Sequence, residues 1–209
     1  MAGIEPRRYL LLLLLLLLCC HAEAQEQMPA PENMPALEQR GPVVNIERRG
    51  SHFIVHASVV LPVTRCEAYA LLTDYASLPS YIPGMLEIGV ERISETVVKV
   101  RQLVEAHVLF FSIDVETVLV MEEMPGKYIT FRQTEGDLES YSGVWTLLDA
   151  AEGIRLTYDA ELVFVGYVPG FLGKMVLEDE SAKRFEAVAK EAGARKAGGR
   201  LSCGSAQPK

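Results

Sequence analysis

Cysteine is scarce in this chain: four in 209 residues, two of them adjacent at Cys19 and Cys20. There is no CxxC, and Cys66 and Cys203 stand far apart, so the spacing supplies neither a disulfide framework nor a zinc site. A glycine-rich phosphate loop is missing, and so is a Gly-x-Ser-x-Gly nucleophile turn. No Cys and His pair in a way that suits nucleophilic catalysis. Basic charge is short too: 20 Lys and Arg against 28 Asp and Glu leave a net charge of −8. With no Lys/Arg cluster to reverse it locally, that balance argues against nucleic acid or an anionic membrane surface as the main partner. Of the four histidines, His52 and His56 are separated by about 13 Å along one strand. No third ligand is placed, and His107 stands alone near an expected strand turn. Neither a metal nor a cofactor is expected.

What is present begins with an export segment. Arg7-Arg8 supply the positive region, Tyr9 to Leu18 the apolar run, and Ala22-Glu23-Ala24 a small-x-small cleavage site. The run is far shorter than the ~20 residues a membrane-spanning helix requires. The boundaries expected are a signal peptide at 1–24, a flexible leader at 25–50, a folded domain at 51–192 and a disordered tail at 193–209. The removed piece carries Arg7, Arg8, Glu5 and Glu23, so the net charge is unchanged. A periplasmic or secreted protein follows, with lipid anchoring through Cys19 or Cys20 as the alternative. Export implies an oxidising compartment. Cys66 is expected to be buried and Cys203 loose, a bridge between them being the other option.

Along the chain, the leader is rich in Pro, Glu and Gln, with Val43 to Ile46 as an optional short edge strand. His52 to Leu61 reads as a strand closed by Pro62. Thr64 to Glu67 is a capping box, and Ala68, Leu71, Leu72 and Tyr75 recur at helical spacing. Leu78 to Gly84 makes a short helical turn and a loop. From Met85 the period becomes two. Strands are expected over Glu87–Ile93, Thr96 to Met121 as two strands with no turn residue to divide them, Tyr128–Gln133, Ser140–Leu148 and Arg155–Val165. In the last of these, Leu156, Tyr158, Ala160, Leu162 and Phe164 share one face; Arg155, Thr157, Asp159 and Glu161 share the other.

Pro169 to Lys190 then forms a long amphipathic helix. At 100° per residue, Phe171, Met175, Ala182, Phe185 and Ala189 fall in one stripe, from whose middle Glu178 projects. Asp179, Glu180, Lys183, Arg184 and Lys190 fall mostly opposite. Such a helix, last after a run of hairpin strands, needs a sheet to cover it. The pattern predicts an α+β fold in which a sheet curls around this helix and leaves a cavity.

Two segments carry a resemblance. Leu71 to Met85, LLTDYASLPSYIPGM, resembles the Asp-Tyr, Pro, Pro stretch of the helix-grip superfamily, which includes START domains, polyketide cyclases and Coq10-like quinone-binding proteins. Gly143-Val144-Trp145-Thr146-Leu147 resembles its Gly-x-Trp strand, and the closing helix matches as well. The resemblance runs from about His52 to Ala192. It implies a seven-stranded antiparallel sheet gripping the last helix, two short helices between the first two strands, and a ligand tunnel. The tunnel mouth would be bordered by Ile82, Pro83 and Met85, by Phe110 and Phe111, and by Tyr167 to Phe171.

Glu178 is the sharpest candidate for chemistry, because a carboxylate in an apolar cavity needs a partner or a use. It would hydrogen-bond a ligand carbonyl or act as a general acid; turned outward, it would pair with Lys174 instead. Tyr158 offers a hydroxyl from the inward face of the last strand. Trp145, with Tyr141 and Leu147 in phase, is pocket wall or core packing. Leu156, Leu162, Phe171, Met175 and Phe185 complete the expected ligand wall. The function expected is that of an exported, non-enzymatic binder of an apolar small molecule (quinone, lipid or polyketide-like), with transient membrane contact at the mouth. The alternatives are an aromatase/cyclase or dehydratase-type enzyme working through a cavity carboxylate, and a protein-interaction module without ligand.

Overall fold

The computed structural model describes residues 41–108 and 110–201. The expected export segment with Cys19 and Cys20, most of the leader, and the tail beyond Leu201 with Cys203 lie outside the described residues.

Eight strands form one antiparallel sheet: β1 Val43–Arg49, β2 His52–Leu61, β3 Met85–Arg92, β4 Val97–Val108, β5 Phe111–Met124, β6 Tyr128–Gly136, β7 Leu138–Ala150 and β8 Gly153–Phe164. Their spatial order is β1-β2-β8-β7-β6-β5-β4-β3. Between β2 and β3 lie helix α1, Arg65–Thr73, and a 3-10 helix, Tyr75–Ser80; helix α2, Gly170–Ala197, closes the chain. This is the helix-grip α+β architecture, with eight strands rather than seven. The additional strand is β1, which occupies the end of the expected leader and pairs along its whole length with β2. Helix α2 likewise continues five residues past Ala192, into the stretch read as tail.

Alternation sets the inner face. Phe53, Val55, Ala57, Val59 and Leu61 of β2 are buried opposite Leu162, Ala160, Tyr158, Leu156 and Ile154 of β8. Large faces small at Ala57–Tyr158, which makes room for the phenol ring. On the outer face of the same strands, His52 pairs with Glu161, and His56 Nδ1 lies 2.6 Å from Asp159 Oδ1. The undivided run after Thr96 turns between Val108 and Phe111. Near that turn, Phe110, Phe111 and Ile113 are exposed.

Helix α1 starts on the expected capping box. The Thr64 backbone N–H donates to Glu67 Oε2 at 2.8 Å, and the Glu67 N–H donates to Thr64 Oγ1 at 3.4 Å. Ala68 and Leu71 face the core. Cys66 departs from expectation: it is exposed and disulfide-bonded. Two residues from Ala68 is about 200° around the helix, so the inward face of Ala68 turns Cys66 outward. Its partner cysteine lies outside the described residues.

Helix α2 is the larger correction. Phe171, Met175 and Glu178, expected on the buried stripe, are exposed; Gly173 and Glu180 are buried instead, and Phe185, Val188 and Ala192 are buried further along. The buried stripe therefore moves around the helix from one end to the other. Gly173 shows why. It lies against the Phe53 ring, where an added Cβ would come within 2.4 Å of Phe53 Cζ. That approach turns the Gly173–Leu177–Glu180–Arg184 side of the first half inward.

Candidate functional site: a two-lobed cavity with a polar waist

Helix α2 does not close flush against the sheet. One lobe of about 130 Å³ lies under the α1–β3 segment, walled by Leu72, Tyr75, Ile82, Met85, Phe131 and Trp145 among others. A second, of about 270 Å³, lies between β4, β5, β8 and the first half of α2, where Val104, Phe111, Leu162, Leu172 and Leu177 supply apolar wall. Gln102, Tyr141 and Arg184 line both lobes. They form a polar waist between two apolar chambers.

Each waist residue is held by its own element. β4 carries Gln102, whose Nε2 donates to Thr117 Oγ1 on β5 at 2.9 Å. β7 carries Tyr141, whose hydroxyl lies 2.6 Å from that of Tyr158 on β8. Burial pushes the pKa of both phenols up, and for Tyr158 the effect is large; the Arg184 charge pulls them back only in part. Both therefore stay neutral hydroxyls throughout the ordinary pH range. Phe131 stacks parallel to Tyr158 at 5.9 Å, and Trp145 stacks on Phe185 at 5.5 Å. Gly143 makes this cluster possible: a Cβ there would lie 2.8 Å from Phe131 Cζ and 2.5 Å from the Asp159 carbonyl oxygen.

Arg184 projects from α2. Its Nη2 is 3.7 Å from Glu180 Oε2, one turn back, and its buried Nε has no hydrogen-bond partner. Glu180, buried beside the larger lobe, also has Lys183 Nζ at 3.9 Å. Among the described residues, no cluster of three or more His, Cys, Asp or Glu is placed to hold a metal ion.

The structure brings together part of the expected site. Tyr141, Trp145, Tyr158, Leu162, Ile82, Met85 and Phe111 line the cavity. Leu156 and Phe185 are buried in the core behind it. Glu178, Phe171 and Met175 lie on the outer side of α2, around a shallow depression with Lys174 and Ala182. Pro83 borders a separate surface depression. Phe110 and Tyr167 stand almost fully in solvent, beside the larger lobe. The carboxylate in the cavity wall is Glu180, not Glu178. Sequence reasoning misses Glu180, Arg184 and Gln102: Glu180 and Arg184 fall mostly opposite the apolar stripe of α2, and Gln102 carries no motif or spacing that singles it out. The signal was the Glu180–Arg184 spacing on the same helical face as Gly173 and Leu177.

The fold and this cavity define a helix-grip protein. Residues 61–189 match the family model described as polyketide cyclase / dehydrase and lipid transport, and the chain belongs to that family. Among solved structures, it is similar to the Zhui aromatase/cyclase from Streptomyces sp. R1128, with 18% identity and a TM-score of 0.57, covering 69% of this chain and 96% of that one. It is also similar to a STAR-related lipid transfer protein from Xanthomonas axonopodis, at 12% identity and a TM-score of 0.55, covering 73% and 98%. A START superfamily protein from Mycobacterium smegmatis aligns at 13% identity and a TM-score of 0.58, covering 68% and 97%. At these identities the likeness is one of fold. No curated protein matches the chain.

Proposed function

We propose that this protein is an exported carrier that shelters an apolar small molecule (a quinone, lipid or polyketide-like compound) between sheet and α2. The observation that carries the reading is the pair of apolar lobes left open between them. Burial supplies the affinity: at about 25 cal/mol per Å² of apolar area, a long acyl or isoprenoid chain gains several kcal/mol without any directed contact. Export to the periplasm or outside the cell is supported by the positive, apolar, small-x-small order of residues 1–24 and by the Cys66 disulfide, a bond that persists in oxidising compartments.

The rim of the larger lobe supports loading from a bilayer. Phe110, Tyr167 and Phe171 are 99%, 84% and 77% exposed, and their neighbours Phe111, Val168 and Leu172 line the lobe itself. Exposed aromatics around a greasy opening fit the headgroup–acyl boundary of a membrane. The acidic net charge fits a zwitterionic surface rather than an anionic one.

The test is native mass spectrometry of protein taken from its own envelope fraction, with extraction of what is bound, followed by titration with an apolar fluorophore. Retention of an apolar molecule and saturable uptake of the fluorophore are expected. Failure of any apolar probe to enter would leave the interaction-module reading instead. Glu180 in the cavity wall favours one second reading, catalysis of the cyclase or dehydratase type, with this carboxylate as acid or base. Glu180→Gln separates the two: a carrier keeps its ligand affinity, whereas an enzyme binds but loses turnover.

A further inference from the structure

The waist carries an inference about what the cargo looks like, resting on the carrier reading above. Arg184 is 32% exposed as a side chain, but its Nε is buried and bonds to nothing, and the residue borders both apolar chambers. Its nearest acid, Glu180, is 3.7 Å from Nη2, beyond hydrogen-bond reach, so the carboxylate balances the charge without occupying the donors. A buried donor without an acceptor is costly, and it persists in native proteins where a ligand or another role supplies the partner. Because Glu180 already provides the counter-charge, a second anion at this point would meet a carboxylate across a wall of low polarity. What is missing is an acceptor, not a charge. One Gln102 N–H goes to Thr117 and one phenol proton closes the Tyr141–Tyr158 bond, so each of those groups already has a partner, whereas the buried Arg184 Nε has none.

We infer that the cargo is an uncharged molecule with a carbonyl oxygen flanked by two apolar arms, the carbonyl accepting from Arg184 at the waist while one arm fills each lobe. This assigns Arg184 as a specificity residue, and Glu180 as the group that keeps anionic cargo out.

The experiment compares three probes of equal chain length on the wild-type protein: a symmetrical long-chain ketone with a mid-chain carbonyl, the n-alkane, and the fatty acid. Binding is read by displacement of the apolar fluorophore. The ketone is expected to bind at least about tenfold more tightly than the alkane, the scale of a hydrogen bond to a charged group, and more tightly than the fatty acid at neutral pH. In Arg184→Met the ketone–alkane difference should vanish while the alkane still binds. Equal wild-type affinities for ketone and alkane would overturn the inference and leave the carrier standing. Preference for the fatty acid would overturn it as well. Entry of none of the three would sink the carrier reading itself. Because the ketone–alkane comparison needs no variant, poor folding of Arg184→Met does not shield the inference.

Discussion

The two phenols at the centre of the cavity wall, Tyr141 and Tyr158, answer each other across β7 and β8, the first partly buried and the second buried. Tyr141→Phe removes one hydroxyl and leaves the Tyr158 oxygen buried with its phenol partner gone. The expected outcome is a loss of about 1–3 kcal/mol of stability, the range for a stranded buried polar group, measured by urea unfolding. The double change Tyr141→Phe with Tyr158→Phe should cost less than the sum of the singles, because no orphan remains. These two residues, with Trp145 and Leu162, were legible from the sequence because strand alternation is strictly two-fold and one face of β8 is plainly apolar. Glu180 and Arg184 were not. A helix has no such binary rule, and a polar residue at the edge of an apolar stripe is assigned outward unless a close approach such as that of Gly173 to Phe53 reveals the true facing.

Among the elements, α1 and the 3-10 helix roof the smaller lobe, and both are fastened by carboxylates. Backbone and hydroxyl hydrogen bonds from Thr64 hold the Glu67 pKa below its ordinary value. For Asp74, burial works in the opposite direction but is outweighed by hydrogen bonds with Ser77 and Arg195, so its pKa also ends low. Arg195 Nη1 lies 2.7 Å from Asp74 Oδ2, which fastens the end of α2 to this roof. A carboxyl whose folded pKa is depressed adds stability above its unfolded pKa, about 4, and loses it as the pH falls through the lower folded value. Hydrogen-exchange protection of residues 65–80, corrected for the intrinsic pH dependence of amide exchange, should therefore be unchanged from pH 7 to about 5 and fall below about pH 4, ahead of β2 and β8. A uniform loss of protection across the chain would count against this local tether. The capping box was visible in the sequence because it is a four-residue signal. The Asp74–Arg195 tie joins residues 121 apart and leaves no local trace.

Over the whole molecule, curvature of one sheet about one helix was legible from hairpin turns followed by a long amphipathic segment. The eighth strand was only half visible, since Val43 to Ile46 sit in a run of Pro, Glu and Gln and become a strand by pairing with β2. The Cys66 disulfide was not deducible, because two distant cysteines specify no geometry on their own. Cys66→Ser should lower stability by about 2–5 kcal/mol, the usual cost of losing a native disulfide. Thermal unfolding with and without reductant would check it: the wild type should shift on reduction and the variant should not.

The shared boundary of the two chambers has one more implication. On the proposed carrier reading, because the same arginine borders both, the cavity would work as a length gauge. A guest that reaches only one chamber would leave the other hollow, and one that passes the waist would fill both. Across a homologous series, tightness should climb with each added carbon until the far chamber is full, and then stop.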